Sequence, residues 1–270
     1  MNIDTIKQLW VPRYNDPKAS LDWWNGKAAK FSTKELPTAE TSLAMKLIEQ
    51  ENMLCKGDKS LDVGCGCGRF SFALEALGAV PTATDFSPEM IKQAEERGLL
   101  EESRISFSVD NWHTLDLKSK GWEKEFDLVL ANMTPAIASA DSFLKLIEAS
   151  RGWVLMVKPT RRSNAVFDEL LRLVCADEDR KTLDESLAYA FDLAWMTGGQ
   201  PKLEYQQQVW ESKQPLEEAV SEYTNRISSQ HELSAGDKEK IRGYLESIAI
   251  EGQVSETSHT NIAAMYWKVN

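Results

Sequence analysis

The stretch that most constrains this chain is Ser60-Leu61-Asp62-Val63-Gly64-Cys65-Gly66-Cys67-Gly68-Arg69-Phe70. It opens as a short apolar run, suited to a buried strand, and then places glycine at every second position. Phe70-Ser71-Phe72-Ala73-Leu74-Glu75-Ala76-Leu77 follows with helical spacing. Glycines between a strand and a helix allow a tight backbone turn with no Cβ to keep a ligand away. The free N–H groups at the helix start then face whatever polar group docks there. The expectation is a nucleotide-type binding loop.

The spacing narrows the nucleotide. A dinucleotide fingerprint, G-x-G-x-x-G, needs its third glycine where the helix packs on the strand. Arg69 stands at that position and the glycine falls at Gly68 instead. About twenty residues after the first glycine comes Thr84-Asp85-Phe86-Ser87-Pro88-Glu89-Met90, where Rossmann-type half-folds place a ribose-binding acid. Val80-Pro81-Thr82-Ala83 ends a second strand there, and Ser87-Pro88 reads as an N-cap followed by proline at the first helical position. The Asp85 carboxylate either accepts both ribose hydroxyls or merely caps the next helix. Ile105 to Val109 alternates as a third strand and leads into Asp110-Asn111-Trp112-His113. Phe126 to Asn132 is a fourth strand, ending in the turn Asn132-Met133-Thr134-Pro135. Each polar cluster falls at the carboxyl end of an expected strand, where open α/β sheets bind ligands.

The run Asp-x-Gly-x-Gly-x-Gly resembles motif I of the class I S-adenosylmethionine-dependent methyltransferases, and Asp-x-Ser-Pro-x-Met is similar to their second motif. The resemblance is carried by Trp23 to Lys158. It implies a Rossmann-like α/β fold: a seven-stranded, mostly parallel sheet, helices on both faces and an antiparallel last strand. It also implies S-adenosylmethionine as cofactor. Its site would comprise Asp62, Gly64, Cys65, Gly66 and Gly68 in the first motif, and Asp85, Phe86, Ser87 and Met90 in the second. Asp110 would reach the adenine amino group, Asn111 and Trp112 would flank the ring, and Asn132 would close the fourth strand. Asn-Met-Thr-Pro lacks the double proline and aromatic of the Asn-Pro-Pro-Tyr motif that holds an amino-group acceptor. Leu21 to Phe31 resembles an N-terminal helix that folds over the cofactor as a lid, which would bring Trp24 or Phe31 onto it. Trp23 and Trp24 could equally pack that helix on the sheet.

Further strands are expected at Trp153–Lys158, Leu203–Trp210 and Ile262–Val269, with helices over Val166–Val174 and Thr182–Thr197. The chain then divides into an N-terminal helical lid (1–50), a cofactor-binding core (51–210), a helical insertion (211–260) and a last strand (261–270), together forming one domain. The insertion either closes a substrate pocket or decorates the surface.

Composition excludes several functions. A net charge of −11 over 270 residues argues against nucleic acid as partner, although Lys158 to Arg162 is a local basic patch. The sequence has no run of eighteen apolar residues and no secretory leader pattern, so a cytoplasmic protein with no membrane partner is expected. Cys65 and Cys67 are too close for an ordinary disulfide, Cys55 and Cys175 are isolated, and no metal site is expected. A methyl sulfonium has a good leaving group, so in-line transfer rests on positioning, and a base is needed only where the acceptor must lose a proton. No catalytic residue is singled out, and His113 is expected at the surface. The acceptor is expected to be an apolar or planar small molecule, with Tyr189 facing it; a protein acceptor and a non-catalytic cofactor binder are the alternatives. The sequence does not set the oligomeric state.

Overall fold

The computed structural model describes residues 2–12, 17–174, 185–228 and 231–269. The expected positions Cys175 and Thr182 to Asp184 lie outside the described residues. One sheet of seven strands organises the chain: β1 (Lys59–Val63), β2 (Val80–Asp85), β3 (Ser106–Val109), β4 (Phe126–Asn132), β5 (Ser150–Asn164), β6 (Lys202–Pro215) and β7 (Gln253–Lys268). Their order is β3-β2-β1-β4-β5-β7-β6. β1 pairs in parallel with β2 and β4, and β7 runs antiparallel to both β5 and β6. The order turns outward from β1 in both directions, which opens a crevice above the β1 and β4 carboxyl ends.

Both faces of the central strands β1, β4 and β5 are buried, as their apolar runs require. On one face Val129, Ala131, Val154 and Met156 pack beneath α1 (Ile3–Leu9), α7 (Ala140–Ala149) and α9 (Ser186–Met196). On the other, Leu128, Leu130, Leu155 and Val157 pack beneath α3 (Leu43–Gln50) and α4 (Arg69–Ala76). The period-2 alternation along β4 and β5 thus divides their side chains between two cores. α5 (Pro88–Leu100) begins as expected: Ser87 caps it by accepting from the Met90 N–H, with proline in the first turn. α2 (Pro17–Ser32) docks on α5 and the glycine loop through a small cluster of Ala28, Cys67 and Met90, flanked by Trp24 and Phe31.

The last three strands are longer than expected. β5 runs on to Asn164, β6 to Pro215, and β7 starts at Gln253 rather than Ile262, so 211–215 and 253–260 are strand rather than helical insertion. The helical part is confined to α10 (Leu216–Ser228) and α11 (Ala235–Ile248). With α8 (Ala165–Val174) these form a separate core of Leu170, Tyr223, Ile241 and Leu245 against Val254, at the outer end of the extended strands. Glu256 anchors that core by accepting hydrogen bonds from Tyr223, Asn164 and Ser212.

Candidate functional site

The crevice is a cavity of about 1030 Å³. That is at the upper end of the roughly 300–1,000 Å³ of small-ligand sites, so it has room for a cofactor and a second small molecule. Its floor is the glycine loop. Gly64, Gly66 and Gly68 adopt φ of 69°, 56° and 77°, a left-handed sequence that side chains resist. A Cβ on Gly64 would sit 1.9 Å from the Thr134 hydroxyl oxygen, so glycine is what lets the β1 and β4 ends meet. Gly66 has the opposite surroundings: the nearest atom to a Cβ there would be Met90 Sδ at 3.8 Å, and the backbone lies open to the cavity. This is a cradle that a side chain would fill, and it fits a cofactor lying across the loop.

The Asp85 carboxylate holds the loop in place. One oxygen accepts from the Gly66 N–H at 2.9 Å and the other from the Ser87 N–H at 2.9 Å. Burial raises its pKa, and those backbone donors counter the effect. Asp85 still lines the cavity, beside Thr84 and Phe86 at the β2 end. Asp110 and Asn111 continue the wall from β3. Asp110 Oδ2 is paired with Lys120 at 2.9 Å, and Asn111 Oδ1 accepts from the His113 N–H.

Of the remaining expected positions, Trp24, Phe31, Cys65, Met90, Trp112 and Asn132 reach the cavity wall. Trp112 is only 2% exposed, and its indole donates to the Ser142 carbonyl at 2.9 Å, so it is first a core residue. Asp62, Gly68 and Ser87 are absent from the wall. Asp62 lies beneath the loop, where its carboxylate accepts from the Ser71 hydroxyl at 2.7 Å; burial pushes its pKa up to about 7. Gly68 is the N-cap of α4 and lies close against Phe107: a Cβ there would come within 2.9 Å of that ring. Ser87 is fully buried, and its hydroxyl donates to Asn25 Oδ1 at 2.6 Å, fastening α2 to α5. Trp24 turns to the cavity while its neighbour Trp23 does not.

Two expectations fail. His113 is half-buried and lines the cavity rather than the surface; burial, helped by the Lys145 charge, lowers its pKa, so its imidazole is neutral at pH 7. Tyr189 faces away: its ring packs on Trp10 at 6.3 Å in the core beneath α9, because that face of the helix is what covers the sheet. Trp195, on the same helix, is 62% exposed and off the cavity. The helices α10 and α11 also stay out; Gln208 and Trp210 of β6 and Ile262 of β7 line that end instead. Among the residues missed were Lys34, Pro37 and Thr41–Ala44, and Arg69 and Phe70. Proline and threonine ahead of a helix were a signal for the first group, since a loop there must cross the strand ends to reach α3.

The Cys67 thiol donates weakly to the Ala28 carbonyl at 3.4 Å and to Met90 Sδ at 3.3 Å, and burial pushes its pKa up to about 11. Burial raises Cys65 as well. Both are neutral packing groups at pH 7, unsuited to nucleophilic chemistry. Among the described residues no group of three His, Cys, Asp or Glu side chains could hold a metal, and no helix is long and apolar enough to cross a membrane.

Comparison with known proteins gives this geometry a family. The sequence pattern described as a methyltransferase domain matches residues 54–209, more than half of the chain. The chain belongs to the class I S-adenosylmethionine-dependent methyltransferases. It is 32% identical over 108 residues to the ubiquinone biosynthesis O-methyltransferase of Coxiella burnetii, a match spanning 40% of this chain and 42% of that protein. The protein of that name from Xanthomonas oryzae pv. oryzae is 37% identical over 73 residues, 27% of this chain and 29% of its own length. The aligned stretch is thus less than half of either relative. Among solved structures, the MccD protein superposes with a TM-score of 0.53 at 12% identity, covering 88% of this chain and all of that one. Phosphoethanolamine N-methyltransferase 2 of Haemonchus contortus, solved with phosphomonomethylethanolamine and S-adenosylhomocysteine, gives 0.50 at 17% identity, covering 89% of this chain and 56% of its own. Both likenesses speak to the fold.

Proposed function

We propose that the protein transfers a methyl group from S-adenosylmethionine to a small-molecule acceptor by in-line displacement. One observation carries the reading: the cofactor loop opens into a single cavity of about 1030 Å³ that continues past Asn132 to Val157, Trp210 and Ile262. The bound cofactor supplies a methyl group on a positively charged sulfur. The chain's own part is to hold it and to aim the acceptor. Gly64, Cys65 and Gly66 offer backbone to the cofactor's methionyl portion, and Asp85 offers its remaining lone pairs to ribose hydroxyls. Asp110, Asn111, Phe86 and the cavity face of Trp112 suit the adenine.

Of the N-terminal fifty residues, α2 acts as the lid of a single catalytic domain, with Trp24 and Phe31 excluding water from the cofactor, whereas α1 and α3 are core helices of the sheet. The ion pair between Lys27 and Glu222 at 3.0 Å ties this lid to α10. Walls made of Trp24, Phe31, Phe70 and Trp210 suit an acceptor with a planar or apolar body. A cavity walled by these aromatics favours such a molecule over a protein chain. The free thiols of Cys55, Cys65 and Cys67 fit a reducing compartment, so we expect the protein to act in the cytoplasm.

Calorimetry with S-adenosylmethionine, S-adenosylhomocysteine and NAD tests the cofactor: the first two bind, NAD does not. Incubation with methyl-labelled cofactor and a small-molecule extract tests transfer. Binding without label in any small molecule would convert the reading to a cofactor-binding protein, and label in protein would make the acceptor a polypeptide.

A further inference from the structure

The cavity's charges are unevenly committed. Its two carboxylates are spoken for, Asp85 by two backbone N–H groups and Asp110 by Lys120. Two cations on its wall, Lys34 and Arg69, have no acidic partner among the described residues. Arg69 gives its Nε–H to the Glu35 carbonyl at 2.7 Å, which leaves the two outer guanidinium nitrogens without an acceptor among the described residues. The Lys34 ammonium lies 4.0 Å from the centre of the Phe31 ring, a contact that orients it without neutralising it. What sets these two apart is their place: both stand on the cavity wall, side by side, in a chain with eleven more acids than bases.

Several sources of positive potential converge there. Burial lowers the pKa of both groups; Lys34 is lowered further by Arg69 and Lys30, and Arg69 by Arg97. Arg69 is also the first residue of α4, where the helix dipole already presents its positive end and no acidic side chain offsets it. Like charges gathered at the amino end of a helix are a cost that a bound anion removes.

We propose that Lys34 and Arg69 form an anion site of the acceptor, so that the methyl acceptor is a small acid carrying a carboxylate or phosphate on an apolar body. The inference rests on the methyl-transfer reading. The guanidinium takes two anion oxygens side by side, and the ammonium supplies a third contact from the lid. Phe31 and Phe70 flank the same corner and meet the apolar part. Closing the lid and binding the acid are then one event, because Lys34 arrives with α2.

The test uses the full chain, with and without saturating S-adenosylhomocysteine. It is titrated calorimetrically with benzoate and phenyl phosphate, and with benzamide and benzyl alcohol as neutral counterparts. At least one acid should bind at least about tenfold more tightly than its neutral counterpart, the scale of a lost charge-assisted hydrogen bond. Lys34→Gln and Arg69→Gln should each remove most of that preference, and Arg69→Lys should keep part of it. S-adenosylhomocysteine affinity should stay within about threefold of wild type. Equal binding of acids and neutral probes, no binding of either acid, or a preference that survives both glutamine variants overturns the proposal. A tenfold fall in S-adenosylhomocysteine affinity overturns it as well, by giving the pair to the cofactor's own carboxylate. If wild type binds no S-adenosylhomocysteine, the methyl-transfer reading fails, whereas the acid preference of the unloaded chain still scores the anion site.

Discussion

Asp62 sits 2% exposed beneath the cofactor loop, and burial is the main reason its carboxyl titrates at about 7 instead of its ordinary 3.8. The Ser71 hydroxyl and N–H pull that value down, and the Asp85 charge pushes it up. Each pK unit is worth about 1.36 kcal/mol, so ionising the buried group costs the native state about 4 kcal/mol relative to the unfolded chain. The sign follows from proton counts. Between about pH 4 and 7 the unfolded chain has released a proton that the native state keeps, so stability falls as pH rises and levels off above 7. Asp62→Asn removes the titration while keeping the shape. Its carboxamide oxygen still accepts from Ser71 N–H, and the Ser71 hydroxyl turns round to accept from the new NH2. Urea unfolding of both proteins at pH 5 and pH 8 cancels, in the difference, the titrating groups that are not coupled to Asp62. The stability of Asp62→Asn relative to wild type should grow by about 3 kcal/mol over that interval. A difference that stays constant with pH would mean that Asp62 is ionised throughout, and the account of its burial would be wrong.

Asp85→Ala removes the acceptor of two backbone N–H groups and the group offered to the ribose, so S-adenosylhomocysteine affinity should fall by about 2–3 kcal/mol. Unchanged affinity by calorimetry would take Asp85 out of the site. Tyr189→Phe deletes only a hydroxyl lying 3.4 Å from Glu185, away from the cavity. The rate of label transfer should stay within about twofold of wild type, and a tenfold loss would return Tyr189 to the acceptor pocket.

The parts of the fold that were legible in the sequence are those where the physical demand is local. Alternate glycines announce a left-handed turn because no other residue takes it cheaply, and Ser87-Pro88 announces a helix start because both capping requirements lie in adjacent residues. The β4 and β5 runs are apolar on both faces because both are buried. The extended half of β7 was hidden for the opposite reason. Val254, Ser258 and Thr260 are buried and alternate with more exposed Ser255, Thr257 and His259, so the period is real but mostly carried by polar residues. β6 is an edge strand with exposed residues on both faces, and Gln206 to Gln208 carry no hydrophobic pattern at all. Its length is set by pairing with β7, a long-range fact. Tyr189 was misplaced because an aromatic on an amphipathic helix looks the same whether it faces a ligand or Trp10.

The displaced glycine links the legible part of the site to the part that was missed. A dinucleotide loop spends its third glycine where helix and strand must pack closely. Here Gly68 meets that demand one residue earlier: a Cβ would come within 2.9 Å of Phe107, and the backbone turns through φ 77° to begin α4. The next residue is then free to carry a side chain, and it carries Arg69. The same one-residue shift that excludes a dinucleotide therefore sets a guanidinium at the amino end of the helix. Sequence shows the shift directly, but whether that guanidinium is neutralised depends on the path of the chain after α2. Only the folded chain shows that the segment after α2 brings the Glu35 carbonyl and the Lys34 ammonium to Arg69 and that, among the described residues, no carboxylate comes with them.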